Sequence, residues 1–341
     1  MSKYRDSQMK QQSEKLNLKL LELPAFCEQF FTGIEHNTQP STRLKYANDL
    51  KVFFEYIQIK YPQYNNIKFL PIFILDKITT YDIEQFLSYI KSYINPRGKV
   101  CKNSRAGVKS KLAAIKSLYR YFYNHQSIKL NPTMLIDIPP IEGKNIVRLN
   151  SVQVNKVLDN IENHTYLKQQ KSSYKYIKRD YAVISLLLGT GIRVSECAGI
   201  DINDICFTDC YIQIVRKGGS EDIVFFSDEV KAALLDYYNE RINIIPDETA
   251  TTAFFLSKRG TRFSVRSIQS LVTKYTKDIK KVSPHKLRAT YGTNLYIATK
   301  DIYLVADTLG HTNVETTKRY YAEIPNQQKR NARNSVQLRN I

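Results

Sequence analysis

The second half of the chain contains arginine, lysine, histidine and tyrosine residues in an order that suits chemistry on a phosphodiester. They lie in the segments GTGIRVSE, RKGGS, PHKLR, LGH and TTKRYY: Arg193, Lys217, His285, Arg288, His311 and the adjacent pair Tyr320 and Tyr321. Attack of a tyrosine oxygen on phosphorus adds negative charge to the non-bridging oxygens. Arginine suits that charge because its guanidinium stays protonated and grips phosphate through two hydrogen bonds. No carboxylate cluster for a metal ion accompanies the series, so fixed cations must meet the charge.

The spacing within two motifs decides which side chains share a face. His285 precedes Arg288 by one helical turn (288 − 285 = 3), so both lie on one face of a predicted helix. Beside a phosphate, this histidine can accept the tyrosine proton or hydrogen-bond an oxygen, although alone it could simply begin a helix. Tyr320 and Tyr321 lie about 100° apart on a helix, so both cannot face one phosphate.

The segments around these residues predict a mixed α+β domain over residues 150–325. It begins with a helix that Asn150 or Ser151 can cap, and a buried helix, a Gly-Thr-Gly turn and a helix starting near Arg193 follow. The stretch YIQIVRKGGSEDIVFF alternates around a Lys-Gly-Gly turn and predicts a β-hairpin with Lys217 in that turn. Further helices follow, of which the last, NVETTKRYYAEI, carries the tyrosine pair.

The first half of the chain predicts a bundle of four amphipathic helices over residues 21–130. The apolar stripe of the fourth helix recurs at helical spacing and consists of Leu112, Ile115, Leu118, Tyr119 and Phe122. The expected fold is therefore mainly α with a small β-hairpin: an N-terminal four-helix domain followed by the mixed α+β domain.

Composition marks the remaining boundaries. Residues 1–20 are polar and predict a partly frayed lead-in, whereas the prolines of residues 131–149 predict a domain linker. Residues 326–341 form a basic tail.

Charge and composition narrow the class of protein. The 51 lysines and arginines against 32 acidic residues give a net charge of +19, which favours a nucleic-acid partner, although an AT-rich genome, which raises lysine content, would produce a similar excess. The five cysteines lack the spacing of a disulfide framework or a zinc site. The N-terminus has no signal-peptide core and no apolar run could span a bilayer. We therefore expect a cytoplasmic protein without a membrane partner.

Taken in order, the five motifs resemble the catalytic signature of the tyrosine recombinases, also called phage-type integrases. The resemblance covers the whole second domain, and the first domain resembles the family's helical core-binding (SAM-like) module. It implies that Arg193 and Arg288 clamp the phosphate and that Glu196 supports them. It also implies that Lys217 protonates the leaving 5′ oxygen and that His311 donates to the phosphate.

The resemblance also selects the nucleophile. In the family pattern this tyrosine falls nine residues after the LGH histidine, behind a threonine pair, and here 320 − 311 = 9 points to Tyr320. The remaining histidines match no motif and are interpreted as structural or surface residues: His36, His125 and His164.

The activity implied is site-specific DNA recombination through a 3′-phosphotyrosyl intermediate and a Holliday junction, without metal, ATP or other cofactor. The implied partners are double-stranded DNA carrying a specific site and a homo-tetramer on two such sites, with room for accessory proteins. Basic residues of two helices in the first domain are expected to contact DNA phosphates: Arg43, Lys45, Lys109, Lys111, Lys116 and Arg120.

Other interpretations stay open at this point. A type IB topoisomerase shares the active-site logic, and a non-catalytic DNA-binding protein could retain the fold. The short lead-in favours a simple Xer-like or Cre-like layout, but the target site and the biological outcome (integration, excision, inversion or chromosome-dimer resolution) are not visible. A further hypothesis is that Val336 and Leu338 of the tail dock in a neighbouring protomer.

Overall fold

The computed structural model describes residues 3–64, 66–96, 98–137, 147–163, 176–216, 218–311 and 313. They group into two compact units that divide near residue 143, called here the N-terminal unit and the C-terminal unit. The secondary structure is mainly helical with two small antiparallel sheets, as the sequence predicts. No helix in the described part of the chain combines the length and apolar character needed to cross a bilayer.

The N-terminal unit is built from helices and one short hairpin. Its helices are α1 (Lys3–Leu20), α2 (Cys27–Gly33), α3 (Pro40–Lys60), α4 (Ile74–Lys77), α5 (Thr80–Tyr89) and α6 (Arg105–Asn124). Strands β1 (Ser92–Ile94) and β2 (Val100–Lys102) pair antiparallel between α5 and α6. The four helices predicted from the sequence correspond to α2, α3, α5 and α6.

Local signals in the sequence begin these helices, and apolar stripes bury them. Thr79 caps α5, and its hydroxyl accepts from the amide of Asp82, whose carboxylate accepts in return from the amide of Thr79. Ser104 caps α6 through its hydroxyl, which accepts from the amide of Gly107. The predicted stripe of α6, from Leu112 to Phe122, is fully buried, so this part of the core is confirmed.

The prediction of a frayed lead-in at residues 1–20 is wrong for the residues described. Residues 3–20 form helix α1, which packs against α3 and buries Leu16. Glu22 accepts hydrogen bonds from Lys19 and from Lys51 of α3, and these ion pairs hold the end of α1. No amphipathic pattern indicates this helix in the sequence, because the helix is polar around most of its circumference.

The C-terminal unit surrounds one buried helix. Its helices are α7 (Ser151–Glu162), α8 (Ile177–Thr190), α9 (Val194–Gly199), α10 (Asp228–Arg241), α11 (Val265–Thr276), α12 (Pro284–Thr299) and α13 (Ile302–Thr308). Strands β3 (Ile205–Cys206), β4 (Tyr211–Val215) and β5 (Glu221–Phe225) form an antiparallel sheet in the order β3-β4-β5.

Helix α8 organises this unit because it contacts α7, α10, α11 and α12 and its central apolar residues are fully buried: Ala182, Val183, Ile184, Leu186 and Leu187. Of the two candidate caps for α7, Asn150 is the one used, with Gln153 completing a capping box. The predicted hairpin is confirmed as β4 and β5, and Val215 pairs with Glu221 next to its turn. The two-residue strand β3 adds an edge that no sequence pattern indicated.

Candidate active site

Arg193 lies at the start of α9, directly after the turn that ends α8. Its backbone N–H donates to Oε2 of Glu196 (2.7 Å), and its Nη1 donates to Oε1 of the same carboxylate (2.8 Å). Nη2 donates to the carbonyl oxygen of Gly310 (3.0 Å). These bonds use one hydrogen of each terminal nitrogen, and the side chain stays 30% exposed, so the guanidinium keeps N–H donors for a phosphate.

Arg288, on α12, is buried and is held by backbone carbonyls. Its Nη1 donates to the carbonyl of Gly191 (2.8 Å), and its Nη2 donates to the carbonyl of Leu309. Gly191 adopts φ +63°, and a Cβ there would lie 2.5 Å from the ring of Tyr291, so only glycine fits this turn. The Gly-Thr-Gly motif therefore places one carbonyl for Arg288 and leads directly into Arg193.

His285 and His311 lie within electrostatic reach of both arginines. Desolvation, followed by the positive charges of Arg288 and Arg193, lowers the pKa of His285. Desolvation lowers the pKa of His311 to about 4, with further contributions from Arg288, Arg193, His285 and Arg216. The structure thus brings the four predicted residues Arg193, His285, Arg288 and His311 together in one cationic site.

Arg216 belongs to this cluster, although the sequence assigned it no role. It directly follows β4, and its buried side chain donates to Asp222, Glu196 and the carbonyl of Thr308. The sequence carried one weak signal, an arginine directly before the predicted Lys217. A basic residue beside a hairpin turn normally indicates a solvated surface.

Some predicted residues lie outside the described part of the chain. Lys217, Tyr320 and Tyr321 are among them, as are the last predicted helix and the basic tail. Their roles stay predictions.

The basic residues expected to contact DNA divide into two groups. Lys45, Lys109 and Arg120 are exposed. The other three have partners within the N-terminal unit: Arg43 with Glu35, Lys111 with Asp49 and Asn103, and Lys116 with the carbonyl of Ile136. Of the unmatched histidines, His36 and His125 are exposed on this unit, and His164 lies outside the described residues.

The phage integrase family profile matches residues 148–327, more than half of the chain. The chain belongs to the phage integrase family. It is a tyrosine recombinase, and site-specific recombination is accordingly its activity. Similarity extends beyond the matched domain: tyrosine recombinase XerS of Streptococcus mutans is 30% identical over 86% of this chain and 89% of its own length. XerS of Streptococcus thermophilus is 32% identical over the same shares.

Solved structures share the fold of this recombinase. XerH bound to a palindromic difH substrate aligns with a TM-score of 0.64 at 21% identity, covering 87% of this chain and 80% of its own. The Tn1549 transposon integrase in complex with circular intermediate DNA aligns with a TM-score of 0.64 at 21% identity, covering 91% and 99%. At such identities the likeness concerns the fold alone.

Proposed function

We propose that this recombinase cuts and rejoins duplex DNA at a specific site through a covalent bond to Tyr320. The observation that carries the proposal is the convergence of Arg193, Arg288, His285 and His311 in one site of a phage integrase family chain. The related structures of XerH and the Tn1549 integrase hold DNA, which supports DNA as the substrate.

The proposed chemistry is a reversible transfer of a phosphoryl group. The phenol oxygen of Tyr320 bonds to phosphorus while the bond from phosphorus to the 5′ oxygen breaks, and a 3′-phosphotyrosyl linkage results. His285 accepts the phenol proton, and Lys217 protonates the leaving 5′ oxygen. Arg193, Arg288 and His311 stabilise the charge that builds on the non-bridging oxygens.

Strand exchange follows from this intermediate. The phosphotyrosyl bond conserves the energy of the broken phosphodiester, so a 5′ hydroxyl from a second duplex can reseal the strand without ATP or a metal ion. Two such exchanges pass through a Holliday junction. In this proposal the active assembly is a homo-tetramer on two paired DNA sites. The N-terminal unit of each protomer contacts DNA phosphates.

Covalent trapping tests the proposal. The DNA site is first selected with the protein from a pool of randomised duplexes, and a nicked version of that site is then used so that the released short strand diffuses away. We expect the wild type to accumulate a protein–DNA adduct resistant to denaturant, and Tyr320→Phe to form none while binding DNA normally.

Three other results would contradict the proposal. An adduct that persists in Tyr320→Phe and vanishes in Tyr321→Phe would assign the chemistry to the neighbouring tyrosine. Relaxation of supercoiled plasmid lacking the selected site would indicate a topoisomerase. Tight binding without any adduct would indicate a DNA-binding protein that only retains the fold.

A further inference from the structure

The side chain of Arg216 connects three parts of the C-terminal unit that are distant in sequence. Its Nε donates to Oδ2 of Asp222 on β5 (2.7 Å), its Nη1 to Oε2 of Glu196 on α9 (3.4 Å), and its Nη2 to the carbonyl of Thr308 at the end of α13 (2.9 Å). The side chain is only 7% exposed. A guanidinium buried to this extent and shared among three elements is placed to fix their relative positions.

The hydrogen bonding at the end of α13 explains why the carbonyl of Thr308 needs a donor such as Arg216. Gly310 has φ +57°, its N–H donates to the carbonyl of Asp307, and the N–H of His311 donates to the carbonyl of Ala306. This arrangement is a Schellman motif, which satisfies the carbonyls of the last turn but not those that follow.

The three carbonyls that follow are taken by the three arginines of the site. Arg216 binds the carbonyl of residue 308, Arg288 that of residue 309 and Arg193 that of residue 310. Positive charge is favourable at a helix C-terminus because the macrodipole is negative there. The two predicted catalytic arginines thus share one anchor with Arg216, and His311 follows that anchor directly in the chain.

We propose that Arg216 is a positioning residue for phosphoryl transfer, holding Glu196 and the end of α13 so that Arg193 and His311 are placed for the reaction. This inference rests on the proposed function. Arg216 also closes the hairpin turn, since its N–H donates to the carbonyl of Ser220 (2.8 Å) and its carbonyl accepts from the N–H of Gly219 (3.0 Å). The same residue therefore anchors the base of the hairpin turn.

Only arginine suits this position. Its planar fork reaches acceptors in three directions, whereas the ammonium of lysine is one point of charge on a flexible stem. The space around the fork is also restricted: a Cβ on residue 310 would lie 2.9 Å from Nε of Arg216. Gly310 is required both by its backbone angle and by the guanidinium beside it.

The test compares Arg216→Lys and Arg216→Met with a matched control, Arg241→Lys. Arg241 is buried like Arg216 and likewise donates to three acceptors, here the carbonyls of Ala253, Ile244 and Thr251, but it lies outside the cluster of Arg193, Arg288, His285 and His311. We expect both Arg216 variants to slow single-turnover adduct formation on the nicked, selected site by about 10²-fold, with unchanged DNA affinity. The control should lose stability yet cleave at the wild-type rate.

A wild-type rate in Arg216→Lys would overturn the inference, because positive charge alone would then suffice. Equal slowing by the Arg241 control would also overturn it, since a general loss of rigidity would explain the effect.

Hydrogen exchange gives a second measurement that needs no DNA. The amides of Gly310 and His311 should exchange faster in both Arg216 variants and at the wild-type rate in Arg241→Lys. Unchanged protection of these two amides would refute the positioning role. The exchange measurement tests the positioning role even if the wild type forms no adduct. Absence of an adduct in the wild type would refute the proposed function instead.

Discussion

At the scale of single residues, the histidines of the site lie beside fixed positive charges. The pKa of His311 is lowered from its ordinary value of 6.5 to about 4 by desolvation and by Arg288, Arg193, His285 and Arg216. His311 is therefore neutral near pH 7 in the DNA-free protein, and a neutral imidazole can still donate one hydrogen bond to a phosphate oxygen.

This lowered pKa makes stability depend on pH. Unfolded chains take up a proton on His311 below about pH 6.5, whereas the folded protein resists protonation until about pH 4, so stability falls as the pH drops through this interval. We expect His311→Gln to lose less stability than the wild type over the same interval. Urea unfolding at a series of pH values measures the difference, and parallel curves would contradict the prediction.

The sequence predicted part of the site at this scale. The sequence was sufficient to assign four residues to one site, because each lies in a motif whose order along the chain and local structure can be predicted from the sequence: Arg193, His285, Arg288 and His311. Arg216 could not be assigned, because its partners Asp222, Glu196 and Thr308 meet only after the hairpin, α9 and α13 have packed.

At the scale of elements, α1 is the clearest departure from the sequence prediction. Leu16 is 4% exposed, and Leu18, two residues away on the same helix, is 67% exposed. We expect Leu16→Ala to lower the free energy of unfolding by about 2 kcal/mol or more, because it leaves a cavity against α3. Urea unfolding of the full chain measures it.

Leu18→Ala is the matched control and should change stability by less than about 0.5 kcal/mol. Equal effects of the two substitutions would indicate that α1 contributes no specific packing.

Other elements were predictable to the extent that they carry local signals. Helices α5 and α6 are predictable from their N-caps, Thr79 and Ser104, and from a wide apolar stripe. The hairpin is predictable from its Lys-Gly-Gly turn. Helix α1 has almost no apolar face, and β3 has only two residues, so neither leaves a pattern. Both are stabilised by tertiary contacts.

At the scale of the whole molecule, the net charge of +19 predicts salt-sensitive DNA binding. Lys109 and Arg120 are exposed on the same helix, α6. We expect their combined replacement by alanine to reduce the slope of log K against log salt by about 2, roughly one for each lost phosphate contact. Titration of the selected duplex at several salt concentrations measures it.

Lys111→Ala supplies the comparison on the same helix. Its ammonium already binds Asp49 (3.1 Å), so the substitution should lower stability and leave the salt slope unchanged. A salt slope reduced as much by Lys111→Ala as by the double variant would refute this division of the basic residues.

The three successive carbonyls at residues 308–310 also restrict how this chain can change in length. Adjacent helical positions differ by about 100° in direction, so an insertion or deletion of one residue between Asp301 and Gly310 would turn every carbonyl away from its guanidinium at once. Substitutions can accumulate on the exposed side of α13, but the number of residues between Asp301 and His311 must stay constant. Among descendants of this protein, that interval should be the part of the C-terminal unit least open to gaps.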